Sequence, residues 1–204
     1  MAAVHIYVEG GRRGPEGKRA LQAGFRALLR EFDLHRATPK VTACGDGGRT
    51  RKAFLQAYKA HPQTFVILLV DAEGPVTLPP RAHLSRRHGG SLDLEGVDDD
   101  QVHLMVQAME AWLIADRQAI RKHYKADFRE KALPAARCPS DIPKGDLKPA
   151  LRAAGGKTGY DELADGPALL KLLDPAVVRA KCPDCKRLFD VLCREVGIEP
   201  FANQ

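Results

Sequence analysis

The chain has 204 residues, 44% of them hydrophobic and 28% charged, proportions of an ordinary folded domain that exclude disorder and fibrous repeats. Its longest apolar run, residues 65–70, is far short of the ~20 residues that a membrane-spanning helix needs, and the start lacks the pattern of a signal peptide, so no membrane association and a cytoplasmic location are expected. Five unevenly spaced cysteines do not suggest a disulfide framework, and the net charge of +6 is spread unevenly: 12 basic and 5 acidic side chains in residues 1–60, but 4 and 9 in residues 61–120.

Residues 4–8 form a β-branched and aromatic run ending at Gly10-Gly11, a predicted first strand. Leu21, Phe25, Leu28, Leu29 and Phe32 recur at three- and four-residue spacings and predict a helix with Arg26 and Arg30 toward water. A second strand is expected over residues 41–44 and a second helix over 51–60. Residues 65–70 are apolar at every position, as a central parallel strand covered on both faces must be. A loop excursion over residues 74–100 has room for a short helix near 81–87. Residues 102–108 resume a strand, and 110–124 read as one helix with Trp112, Leu113, Ala119 and Ile120 inward. Further helical patterns lie around 147–153 and 168–192. This order predicts a doubly wound α/β core over residues 1–130, whose ligands gather at strand carboxyl ends, with a helical C-terminal extension over 131–204 packed on it.

Three carboxylates fall at those strand ends: Glu9 before Gly10-Gly11, and Asp71 and Glu73 before Gly74-Pro75. Asp71 and Glu73 are two apart and share a face if the strand geometry persists. Oxygen ligands of this kind suit Mg²⁺ or Mn²⁺, which keep several waters and bind through one or two carboxylates plus substrate phosphate. Capping and turn formation are the plainer roles for each acid taken singly. Glu110, opening a predicted helix, is either a further ligand or an offset to the helix dipole.

Through Val8-Glu9-Gly10 and Val70-Asp71-Ala72-Glu73 the chain resembles the Toprim domain, found in topoisomerases, bacterial primases and the nuclease domains of overcoming-lysogenization-defect proteins. The resemblance covers residues 4–120, and Glu73 replaces the usual second aspartate. A closer resemblance is to a bacterial family, domain-of-unknown-function family 4276, carried by residues 4–11, residues 69–76 and the block His103-Leu104-Met105-Val106-Gln107-Ala108-Met109-Glu110-Ala111-Trp112. The Toprim resemblance implies a Toprim-like (Rossmann-like) parallel sheet flanked by helices and a metal-dependent phosphoryl transfer served by Glu9, Asp71 and Glu73. Related Toprim nucleases use a lysine from a later segment to stabilise charge on the phosphoryl group, which implies Lys157. Families of the second kind are often encoded beside ATPases of phage-defence systems, which implies an effector subunit with an ATPase partner.

Basic flanks around an acidic middle suit a cation site whose borders attract a polyanion, although solvated surface charge gives the same counts. Arg12, Arg13 and Lys18 follow Glu9 closely, and Arg49, Arg51 and Lys52 open the second predicted helix; both clusters are candidate contacts to nucleic-acid phosphates, as is Lys144. Solvent exposure is expected for Lys144 and Tyr160. Gly155-Gly156-Lys157-Thr158 is no Walker loop, because Leu151 stands where that motif needs glycine. The lone Cys182-Pro183-Asp184-Cys185 lacks two further zinc ligands unless Cys138 and Cys193 supply them, and core packing is expected instead. The reading is a Mg²⁺- or Mn²⁺-dependent nuclease acting on DNA or RNA. Its rivals are a non-catalytic adaptor that binds nucleic acid or an ATPase, and a small-molecule phosphohydrolase; a homo-oligomer is left open.

Overall fold

The computed structural model describes residues 3–11, 14–35, 37–89 and 94–201. Four parallel strands, β1 (Ala3–Glu9), β2 (Lys40–Gly45), β3 (Thr64–Asp71) and β4 (Val102–Met105), form one sheet in the order β2-β1-β3-β4. The chain steps from β1 to β2 through α1 (Gly14–Leu28), then crosses back over β1 to β3 through α2 (Gly47–Ala60). The strand order therefore reverses between β1 and β3, and their carboxyl ends flank the crevice where α/β sheets of this kind take ligands.

Alternation along the strands explains the layering. Val4, Ile6 and Val8 of β1 and Ile67 and Leu69 of β3 pack with Leu21, Phe25 and Leu28 of α1. Val66, Leu68 and Val70 face the opposite way, onto Phe54 and Ala57 of α2 and Leu84 of α3 (Pro80–Arg87). Apolar residues on both sides of β3 are thus each accounted for.

The stretch 110–124, expected as one helix, is two: α4 (Met109–Ala115) and α5 (Arg117–Tyr124). Asp116 makes the break, its Oδ1 accepting the amides of Gln118 at 3.0 Å and Ala119 at 3.1 Å as a cap on α5. The expected strand 102–108 stops at Met105. The remaining helices are α6 (Lys144–Ala154), α7 (Asp165–Leu172), α8 (Pro175–Lys181) and α9 (Pro183–Val196). The last three replace the single pattern expected over 168–192, because Pro175 and Pro183 lack the amide that would continue a helix and start new ones instead. Leu147, Leu151, Leu169, Leu170, Leu188 and Phe189 join the same buried cluster as Ile6 and Ile67, so the C-terminal helices complete the core on the α1 face of the sheet. Among the described residues no helix is long and apolar enough to cross a membrane.

Candidate functional site

β1 and β3 end side by side, and each ends on an acid. Glu9 Oε2 accepts the backbone amide of Asp71 at 3.3 Å, and Asp71 Oδ1 accepts the amide of Met109, at the first turn of α4, at 3.0 Å. The turn after Glu9 is compact because Gly10 and Gly11 have φ of 121° and 76°, and a Cβ on Gly11 would stand 2.8 Å from Lys18 Cα. Both acids, with Glu73 and Glu110, line a cavity of about 330 Å³.

Glu73 reaches this cavity by a route other than the expected one. Strand geometry ends at Asp71, and Glu73 has φ of 66°, so the two acids do not share a face through pleating. Gln107 places Glu73 instead, its carbonyl accepting the Glu73 amide at 2.8 Å. Lys144 Nζ pairs closely with Glu73 and stands 3.9 Å from Asp71 Oδ2, while Arg87 lies 3.7 Å from Glu73 on its other side.

Glu110 is buried, its Oε1 accepting the hydroxyl of Tyr160 at 3.4 Å and standing 3.6 Å from Lys148 Nζ. Lys148 also pairs closely with Glu162, a further lining residue. Lys144 and Lys148 are one helical turn apart on α6, so both ammonium groups reach into one acidic cavity.

Crowding acids in a half-buried cavity shifts their protonation. Burial, then the charges of Glu9 and Glu110, push Asp71 up to about 8 against the pull of Lys144 and the Met109 amide. Burial likewise raises Glu110, with the Lys148 ammonium opposing. Glu162 and Glu110 outweigh burial at Lys148 and hold its charge. Five acids line the cavity against two lysines, an excess of carboxyl groups that an entering cation would offset. Among the described residues no three His, Cys, Asp or Glu side chains already close around a point that a metal could occupy. Mg²⁺ asks for less, one or two carboxylates with water and substrate filling its shell, and Asp71 with Glu9 or Glu110 fits that donor chemistry.

The structure gathers some of the remaining candidates and separates others. Lys18 and Arg49 meet in a second concavity lined by Gly14, Pro15, Gly45 and Asp46, and Arg49 pairs with Asp46 at 3.3 Å. Arg51 lies beside Gly47 at the start of α2 near Glu9, and Lys52 is exposed. Arg12 and Arg13 lie outside the described residues. Lys157 is not among the lining residues: it is exposed in the turn that follows α6, and the lysines of α6 itself occupy the cavity. The exposure expected of Tyr160 and Lys144 is corrected, for Tyr160 is buried against Glu110 and Lys144 is held by Glu73. Cys182, Cys185 and Cys193 are buried in the core, where burial pushes their thiols up. Lys148 and Glu162 escaped sequence reasoning, although the spacing Lys144-x-x-x-Lys148 beside buried Leu147 and Leu151 puts two cations on one side of a packed helix.

No curated protein and no solved structure matches the chain. A family model does, over residues 16–193, most of the length and every cavity-lining residue except Glu9, Gly10 and Gly11. The chain belongs to the family described as Domain of unknown function (DUF4276).

Proposed function

We propose that this protein is a Mg²⁺- or Mn²⁺-dependent nuclease that hydrolyses phosphodiesters of DNA or RNA. The observation that carries the reading is one cavity, at the switch point of a parallel sheet, lined by acids from β1, the β3 end and α4 together with the α6 lysines. The strand-end carboxylates also support the Toprim resemblance, through which phosphoryl transfer enters.

Asp71, with Glu9 or Glu110, would hold the cation, which supplies Lewis-acid polarisation of a phosphate oxygen. Lys144 and Lys148 would donate to the other phosphate oxygens, where negative charge builds as the bond breaks. Glu9 serves as ligand or as general acid/base. Lys18 and Arg49 would hold the adjacent backbone phosphate. The ATPase partner and the phage-defence setting come from the family resemblance alone.

The test is cleavage of single-stranded DNA, duplex DNA and structured RNA with Mn²⁺, with Asp71→Asn as the control. Metal-dependent cleavage lost in Asp71→Asn supports the reading. Cleavage that survives in that variant, or that persists with the metal chelated, overturns it.

A further inference from the structure

Between the two cysteines of Cys182-Pro183-Asp184-Cys185 stands a carboxylate on which three donors converge. Asp184 Oδ2 accepts the amide of Val106 at 3.0 Å and the indole N–H of Trp112 at 2.6 Å, and Oδ1 accepts the hydroxyl of Ser140 at 2.9 Å. Two routes lead from these contacts to the same ion pair. Along the first, Val106 precedes Gln107, whose carbonyl holds the Glu73 amide at 2.8 Å and whose side-chain Oε1 accepts the Lys144 amide at 3.0 Å. Along the second, Ser140 sits in the 3-10 turn Pro139–Asp141, and the chain passes through Pro143 directly into Lys144. Met105 tightens the first route, its carbonyl accepting the Ala72 amide at 2.9 Å.

We propose that Asp184 is a positioning residue: from α9 it sets where Glu73 and Lys144 stand in the cavity, without entering it. A single carboxylate accepting from both segments fixes the spacing between them, and a carboxylate acceptor makes stronger bonds than a neutral one. That this geometry serves phosphodiester cleavage rests on the function proposed above; that Asp184 sets the geometry does not.

The experiment uses the full chain and compares Asp184→Asn with Leu188→Ala, which cuts into the core on the same helix. Asparagine keeps the size, but its NH₂ end cannot accept, so either Ser140 or the Val106 and Trp112 pair loses its acceptor. Amide resonances of Glu73, Gln107 and Lys144 should move in Asp184→Asn and stay in place in Leu188→Ala. Where the wild type cleaves, kcat should fall about tenfold or more with KM little changed, the mark of an ångström-scale misplacement. Resonances that stay put in Asp184→Asn, or that move equally in Leu188→Ala, overturn the proposal. If Asp184→Asn does not fold, Ser140→Ala cuts one route alone; a shifted Lys144 amide then supports the proposal, and an unmoved one overturns it. A wild type that cleaves nothing defeats the nuclease reading while the amide comparison still decides the role of Asp184.

Discussion

Glu9 Oε2 and the amide of Asp71 meet at 3.3 Å across 62 residues of chain, so the ends of β1 and β3 present their acids as one unit. If that unit holds a divalent cation, Mn²⁺ should raise the melting temperature by linkage. Calorimetric titration of wild type and Asp71→Ala checks this, with binding expected only in the former. Equal binding by both would remove the metal from the site.

Gly47 offers a way to move Glu9 without deleting it. A Cβ at this position would lie 3.1 Å from Glu9 Oε2 and 3.3 Å from Oε1, so Gly47→Ala must push the carboxylate aside. The backbone there needs no positive φ, so the strain of alanine falls on the side chains alone: Glu9 and the Arg51 guanidinium, 3.3 Å away, must each give by a few tenths of an ångström. Mn²⁺ affinity and cleavage are expected to fall together while the chain stays folded, as a retained denaturant transition would show. Unchanged affinity would place Glu9 outside the metal's reach.

Nucleic-acid affinity should fall steeply with salt. Lys18→Ala and Arg49→Ala, which empty the concavity beside the site, should each weaken binding regardless of sequence and lower the log–log salt slope by about 1. Fluorescence anisotropy across a salt series measures both quantities. Binding that ignores salt would favour the small-molecule phosphohydrolase.

His103 predicts the acid limit of the fold. It is buried, donates from Nε2 to the Asp100 carbonyl at 3.0 Å and accepts from Arg187 at Nδ1, so its neutral tautomer fits the network. Burial and the Arg187 charge, with a smaller push from Arg194, bring its pKa down to about 3 from an ordinary 6.5. The unfolded chain therefore takes up the proton first. Stability from this residue is whole above pH 6.5 and drains as pH falls toward 3, by at most about 1.4 kcal/mol per unit. Urea midpoints between pH 7.5 and 5 should depend less on pH in His103→Gln than in wild type. His5, lowered to about 4 by burial, keeps part of the slope in place. Parallel slopes would show that His103 is not a source of acid sensitivity.

If the chain works with an ATPase partner, as the family resemblance implies, cleavage by the chain alone is expected to be slow and to accelerate when that partner is added with ATP. Both α6 lysines are tied up in ion pairs, Lys144 with Glu73 and Lys148 with Glu162, and a partner that loosened these pairs would free the ammonium groups for the phosphate. Rates measured with the chain alone, with partner and with partner plus ATP check this, using Glu9→Ala as the inactive control. Full activity from the chain alone removes the partner requirement.

The sequence announced what local chemistry controls. Six consecutive apolar residues ending at Val70 read as a central strand with Asp71 at its end, and the run over residues 4–8 put Glu9 at the end of another, before glycine. What stayed hidden was long-range. Asp116 caps α5 through local amides, but its other oxygen accepts the amide of Asp174, 58 residues later, at 2.9 Å, a contact that no local pattern reveals. Tyr160 seemed a surface residue because nothing nearby in sequence reveals Glu110 above its hydroxyl. Lys157 drew notice through a glycine-rich string, whereas Lys148, in a helix read only for its apolar spacing, stands at the cavity.

The acids at the cavity are encoded before residue 130, apart from Glu162, and both lysines after it. A recombination junction in that region would join one parent's anions to another's cations, and each half would also inherit a core face cut to fit its former neighbour. Chimeras between relatives should therefore survive only when the two sides derive from lineages that have kept the same α6 register.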